Sequence, residues 1–223
     1  MEADLSSPAK KKGLPLAREG FPLVAAGLGA AFLSWVFGLR APACLFGLAS
    51  LYLLWFFRDP ERTPPEGEHL LVAPADGRVI AVEASADDRY LPEGGTRLSI
   101  FMSPFDVHVN RAPASGRVEK TEYRKGRFVR AFAPEASEEN ERNAVWLRTP
   151  QGPGICFVQV AGFLARRIVC YVREGMEIDR GARCGIVMFG SRVDVYLPPG
   201  FRVRVRPGDR TRAGESVIAE AGS

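Results

Sequence analysis

The segment Met188-Phe189-Gly190-Ser191-Arg192-Val193-Asp194 sets a Gly-Ser pair between an apolar, strand-like run and a second strand. In a strained turn, a serine hydroxyl that follows a glycine can reach back to the preceding carbonyl. The chemistry then open to it is an N-to-O acyl shift, cleavage of the backbone and conversion of the serine into a pyruvoyl group. A Gly-Ser pair alone carries no such meaning, because the chain ends in another, Gly222-Ser223, that reads as a tail. What surrounds the first pair decides. Imidazoles are scarce: the chain has two histidines, His69 and His108. His69 lies in a Pro/Glu-rich stretch unsuited to chemistry. His108 lies in an alternating run, with Val107 and Val109 on one side and Asp106, His108 and Asn110 on the other. A lone strand histidine is ordinarily a surface or hydrogen-bonding residue, but His108 is the imidazole available as a general base or acid. Asp76, in Ala75-Asp76-Gly77, has a plain explanation as a turn former.

The elements that must position these residues follow from composition and patterning. At 223 residues the chain can bury a core and still carry an appendage. Its 17 prolines and 23 glycines predict many turns, hence short strands in preference to long helices. Residues 1–20 are polar and include Lys10, Lys11 and Lys12. Two apolar runs follow, Phe21 to Leu39 and Ala41 to Phe57, separated by Arg40. Each approaches the roughly 20 residues that a bilayer span requires, and Trp35, Tyr52 and Trp55 suit interfacial belts. We expect residues 21–57 to be a membrane-anchoring helical hairpin; spanning the bilayer and lying in one leaflet both fit. Basic residues flank its outer ends, Lys10 to Lys12 before and Arg58 and Arg62 after. The positive-inside rule therefore places both ends, and the domain that follows, on the cytoplasmic side of the cell membrane.

Pro60, Pro64 and Pro65 mark residues 58–69 as a linker. From Leu70 to the end, residues 70–223 read as a β domain. Leu98 to Phe101, Ile155 to Val160, Ile168 to Tyr171, Ile186 to Phe189 and Val193 to Leu197 are short apolar runs punctuated by Gly and Pro. Phe201 to Arg206 alternates apolar residues with arginine, a half-buried strand with a cationic outer face. Two internal echoes stand out. Ala73 to Val79 (APADGRV) returns as Ala112 to Val118 (APASGRV), and Gly175 to Gly181 returns as Gly208 to Gly214. Such repeats occur in two-fold β-sandwiches related to biotinyl and lipoyl carrier domains. Neither copy has a lysine at its hairpin tip, so a carrier role lacks its attachment point. The fold class expected is mainly β, a sandwich- or barrel-like domain with carrier-like repeats.

Cys44, Cys156, Cys170 and Cys184 form no CxxC pair and no zinc spacing, and read as buried free thiols. With so few histidines, metal catalysis finds little support. The net charge of +4 is modest and the lysines and arginines are dispersed, so no nucleic-acid footprint is evident; a slight basic excess suits anionic lipid.

Taken together, the motifs resemble those of phosphatidylserine decarboxylases, in their short, archaeal-type form. The resemblance rests on Phe56-Phe57-Arg58-Asp59-Pro60-Glu61-Arg62, Pro74-Ala75-Asp76-Gly77, Ser103 to Arg111 (SPFDVHVNR), Asn140-Glu141-Arg142-Asn143, Gly162 to Ile168 (GFLARRI) and Phe189 to Asp194 (FGSRVD). Six motifs in this order are specific where each alone is weak. The resemblance implies a proenzyme that cuts itself between Gly190 and Ser191, leaving a heterodimer of chains 1–190 and 191–223. Ser191 Oγ attacks the Gly190 carbonyl to give an ester. Elimination then frees the upstream chain, and the remaining dehydroalanine rearranges and hydrolyses to a pyruvoyl group and ammonia. That covalent pyruvoyl cofactor is the electron sink that no ordinary side chain provides. The implied substrate is phosphatidylserine, decarboxylated to phosphatidylethanolamine in the membrane.

By the same resemblance, Asp76 orients and charges His108 in a Ser-His-Asp arrangement, and Arg58, Arg142, Arg166 and Arg167 are candidate grips for a lipid phosphate. Ser115 holds Asp76's place in the second copy of the repeat, so the turn itself needs no carboxylate. Longer bacterial relatives carry Asp-x-His-x-x-His, and Arg111 stands here at the second histidine position. Either His108 serves both self-cleavage and protonation, or Arg111 takes an electrostatic share. Two rivals are a pyruvoyl decarboxylase of a soluble amino acid, for which an apolar hairpin has no use, and a membrane-tethered β-sandwich adaptor without catalysis.

Overall fold

A computed structural model describes residues 15–87, 89–126, 139–150, 154–162, 167–188 and 191–222. Gly190 and Arg166 of the expected site lie outside the described residues, as do Lys10 to Lys12. The chain divides into a helical unit within Lys12–Glu61 and a β unit that starts at Arg62.

In the helical unit, α1 (Gly20–Val36) and α2 (Arg40–Phe56) fall on the two apolar runs. The helices pack through small residues. A Cβ on Gly27 would lie 2.4 Å from Ser50 Oγ, so glycine permits the close approach. Ser50 hides its hydroxyl by donating to the Phe46 carbonyl at 2.8 Å. At the base, the Ala17 amide donates to the Phe57 carbonyl and the Asp59 amide to that of Pro15. Much of the remaining apolar surface is exposed: Phe32, Leu33, Trp35, Phe37, Leu48 and Leu51 are each more than half accessible. Among the described residues, no helix is long and apolar enough to cross a membrane. Cys44, expected to be buried, is exposed on α2, while Cys156 and Cys184 are buried and Cys170 is partly so.

The β unit contains β1 (Leu70–Val72), β2 (Gly77–Ser85), β3 (Gly95–Met102), β4 (Val109–Arg111), β5 (Gly116–Arg124), β6 (Arg142–Arg148) and β7 (Ile155–Val160). It continues with β8 (Ile168–Cys170), β9 (Glu177–Ile178), β10 (Arg183–Val187), β11 (Ser191–Leu197), β12 (Phe201–Val203), β13 (Arg210–Thr211) and β14 (Val217–Ala221). The fold is mainly β. Strands cover Leu98 to Phe101, Ile155 to Val160 and Val193 to Leu197 in full. Ile168 to Tyr171, Ile186 to Phe189 and Phe201 to Arg206 are strand only over Ile168–Cys170, residues 186–187 and Phe201–Val203, and Phe189 lies outside the described residues. An eight-stranded sheet runs β13-β2-β3-β11-β7-β6-β5-β9, flanked by three-stranded sheets β1-β14-β12 and β4-β10-β8. Alternation along the strands sends Leu98, Ile100, Val193, Val195, Leu197, Phe157, Val145 and Leu147 into the main core. Their neighbours Val158, Val160, Ala144 and Tyr196 pack on the other face beneath Tyr90 and Leu91.

The sequence repeat is a structural repeat. β2 pairs with β13 as β5 pairs with β9. The Gly214 amide donates to Ala73 O where the Gly181 amide donates to Ala112 O, and Gly208 meets Val79 as Gly175 meets Val118, all four at 2.8 Å. At the start of each long strand the backbones crowd. A Cβ on Gly77 would be 2.1 Å from Phe101 O, and one on Gly116 2.2 Å from Arg148 O. Glycine is therefore required at that step in both copies.

Candidate active site

Strand register brings the scattered motifs to one rim of the eight-stranded sheet. Arg78 lies opposite Phe101, Phe101 opposite Arg192, Arg192 opposite Val160, and Val160 opposite Arg142. One step toward the rim, Met102 faces Ser191. The segments just beyond this row are the Asp76 turn, the loop from Ser103 to His108, and the Asn140-Glu141 pair. The Asn140 side chain donates to Ala161 O at 2.6 Å, tying the last of these to the end of β7.

Ser191 is the first residue of β11 and wholly buried. Alternation along β11 turns it to the main core side with Val193, and its Oγ has no hydrogen-bond partner among the described residues. Buried hydroxyls rarely stay unmatched, which singles Ser191 out as the candidate reactive group.

His108 sits between β3 and β4, also wholly buried. The expected alternation of burial is absent, since Val107 to Arg111 are all buried. β4 lies against β10 with its far side also covered, so both faces of this run are interior. The loop ahead of it is fixed by Asp106, whose Oδ2 accepts from the Ser103 amide at 2.8 Å and from Ser103 Oγ at 2.7 Å. His108 Nδ1 lies 3.0 Å from the Asp106 carbonyl. A carbonyl only accepts, so Nδ1 carries the proton and the lone pair of the neutral ring is on Nε2.

Asp76 occupies the turn into β2. Its Oδ1 accepts from the Ala213 amide at 2.7 Å, and its Oδ2 is ion-paired with Arg62 at 3.0 Å. Arg62 also holds Glu215 at 2.9 Å. In the second copy the Ser115 hydroxyl accepts from the Arg180 amide at 2.9 Å, in the place of the Asp76–Ala213 bond. The turn bond thus needs an oxygen, and the Arg62 pair is what the carboxylate adds. The position on His108 Nδ1 that the Asp of a Ser-His-Asp arrangement takes is held by the Asp106 carbonyl. The Arg111 amide donates to Pro74 O at 2.9 Å, tying the Asp76 turn to the strand after His108. Arg111 Nη1 donates to Gly181 O at 2.9 Å.

A buried amide chain crosses the core beside Ser191. Asn143 Nδ2 donates to Gln159 Oε1 at 3.3 Å, and Gln159 Nε2 to Asn110 Oδ1 at 2.9 Å. Asn110 Nδ2 in turn lies 3.5 Å from Sδ of Met102, the residue opposite Ser191. Gln159 was not among the sequence candidates, because in Ile155 to Val160 it is one polar residue in an apolar run. The other face of the sheet holds a buried ion pair, Arg192 with Asp194 at 2.9 Å. There burial pushes the Tyr196 phenol well above its usual range, with Asp194 adding to the shift. Burial likewise raises the Cys156 and Cys184 thiols well above the ordinary range, which suits core residues and not nucleophiles.

The candidate phosphate grips do not form one cluster. Arg142 is buried on the face opposite Ser191 and donates to Asn140 O at 3.2 Å. Arg167 is exposed just ahead of β8. Arg58 belongs to the helical unit, where it lies 4.1 Å over the Trp55 ring and donates to the Trp55 carbonyl. Among the described residues, no group of three His, Cys, Asp or Glu is placed to hold a metal ion.

A buried hydroxyl, an imidazole with its lone pair on Nε2 and an ion-paired carboxylate lie on segments that meet at one rim, and no hydrogen bond joins Ser191 Oγ to His108 Nε2. The comparisons specify the class. A family model for phosphatidylserine decarboxylase matches residues 50–219. A phosphatidylserine decarboxylase proenzyme of Nitrosomonas europaea is 45% identical over 210 residues, covering 92% of this chain and 94% of that protein. One from Syntrophus aciditrophicus is 47% identical over 205 residues (91% and 96%), and one from Pelobacter propionicus 45% identical over 223 residues (96% and 100%). The chain belongs to the phosphatidylserine decarboxylase family.

Proposed function

We propose that this protein is a self-processing decarboxylase that converts phosphatidylserine to phosphatidylethanolamine and CO2. The observation that carries the reading is Ser191, a wholly buried hydroxyl without a hydrogen-bond partner among the described residues, at the rim where the family motifs meet. His108 Nε2 takes the proton of Ser191 Oγ as the oxygen attacks the Gly190 carbonyl. The Asp76–Arg62–Glu215 group carries one net negative charge, which favours the imidazolium so formed. The products are chains 1–190 and 191–223, the second beginning with a pyruvoyl group.

The environment of Ser191 fits such a group. It is buried and close to packed apolar side chains, with Met102, opposite Ser191, tied to the buried amides of Asn110 and Gln159. A pyruvoyl group formed from Ser191 would supply the electron sink for the pair released when CO2 leaves. His108 is placed to move a proton at the same site. We read the β unit as a barrel-like domain of two carrier-like halves, which explains why the repeat survives without a carrier lysine.

The helical unit is the proposed attachment to the cell membrane, with the β unit on the cytoplasmic side as the flanking basic residues favour. Each helix has 17 residues, about 25 Å at ~1.5 Å per residue against a hydrocarbon core of about 30 Å. A hairpin whose tip residue Phe37 is 75% exposed suits insertion from one side. Denaturing gels and CO2 release from carboxyl-labelled phosphatidylserine test the reading with Ser191→Ala. Wild type splits and turns over; the variant stays whole and is inactive. An uncut wild-type chain with full activity overturns it.

A further inference from the structure

The segment Phe201 to Arg212 has no part in the chemistry above, yet its charge is unusual. It holds five arginines (202, 204, 206, 210 and 212) against one acid, Asp209. That surplus of four equals the net charge of the whole chain, so the rest of the sequence is neutral in sum. All five arginines are exposed; the side chains of Arg206 and Arg210 are 87% and 72% accessible. Acidic neighbours offset only part of this, through Glu220 beside Arg204 and Asp209 at 3.6 Å from Arg206.

The segment runs along β12, turns at Gly208, whose amide donates to Val79 O, and returns as β13 beside β2. There Arg210 lies opposite Arg78, a sixth exposed arginine. Arg210 also reaches Asp106 at 3.5 Å, in the loop that carries His108. One residue before Asp106, Phe105 is 69% exposed, an aromatic ring in water beside the site rim. The surface therefore joins a cationic segment spanning β12 and β13, a loop with an exposed phenylalanine, and the Ser191 rim.

We infer that this surface docks on an anionic phospholipid bilayer, the arginines lying against headgroup phosphates and Phe105 entering the interface. The inference rests on the lipid-substrate reading and adds a second contact, in the β unit itself, that presents the site rim to the membrane. A bilayer matches the spread of charge and the exposed apolar side chain together; a soluble polyanion has no use for Phe105.

The test is the partition of the purified full chain onto phosphatidylcholine vesicles with and without phosphatidylglycerol. The helical hairpin contributes to both, so the ratio isolates the charged surface. Wild type should prefer the anionic vesicles by on the order of tenfold at low salt, and by little at about 0.5 M salt. The variant Arg202→Gln/Arg204→Gln/Arg206→Gln/Arg212→Gln should lose most of that preference while still cleaving itself. Phe105→Ser should weaken partition severalfold on both vesicles and leave the ratio unchanged. An unchanged ratio in the quadruple variant overturns the inference. So does tighter binding of a single-stranded oligonucleotide than of anionic vesicles, which would make the partner a nucleic acid. Absence of self-cleavage in wild type would strike the proposed function instead, and leaves the vesicle ratio readable.

Discussion

Asp76 and Ser115 hold matching turn positions and make the same bond, one to the Ala213 amide and the other to the Arg180 amide. The pair separates shape from charge. Asp76→Ser retains an oxygen for the turn but removes one of the two carboxylates on Arg62, leaving Glu215, so the fold should hold while self-cleavage slows strongly. Ser115→Ala should lose about 1 kcal/mol of stability and cleave normally. Time courses of chain separation for both variants check this; normal cleavage in Asp76→Ser removes its charge from the machinery. Gln159→Leu makes a different case. It takes the donor from Asn110 Oδ1 in a dry core and should cost about 1–3 kcal/mol. In the uncleavable Ser191→Ala background this is read as a lower urea midpoint at constant slope. Ser191, His108 and Asp76 were legible as candidates because reactive residue types stood in recognisable order. Gln159 was not, since one amide in an apolar run looks like a strand interior until a partner 49 positions away is known. Nor was the proton position on His108, which depends on a backbone carbonyl.

At the scale of elements, the two helices were read from apolar run length and Arg40, and the strands from short apolar runs between Gly and Pro. Their pairing was not legible, because register arises from contacts between distant segments. The exposure of Cys44 was missed for a related reason: an apolar run does not reveal whether protein or lipid covers it. That thiol now serves as a probe of the hairpin. In vesicles it should react with a membrane-permeant maleimide and resist a charged methanethiosulfonate reagent; equal labelling by both would place α2 in water. Deleting residues 1–57 should release the protein from membranes and leave self-cleavage largely intact, because Asp76, His108 and Ser191 all lie in the β unit. Chain separation on a gel, with sedimentation against vesicles, reads both effects.

At the scale of the whole molecule, the proposed cleavage before Ser191 would free a terminus but not a piece. β11 is hydrogen-bonded on one side to β3 and on the other to β7, and all seven of its residues are buried. β14 likewise pairs with β1. The proposed short chain would therefore stay a central strand of its partner's sheet, and the two should elute together under native conditions and separate only in denaturant. The same interlock explains how a proenzyme can form its site before it cuts: β11 is in place on both sides while the backbone is continuous. The most direct test of the account is the intact mass of the short chain from purified wild-type protein. It should begin at position 191 and be lighter than the serine-initiated peptide by one ammonia, the mark of a pyruvoyl terminus. A short chain with an unmodified serine at its start, or a protein that decarboxylates phosphatidylserine without any cut, would contradict it.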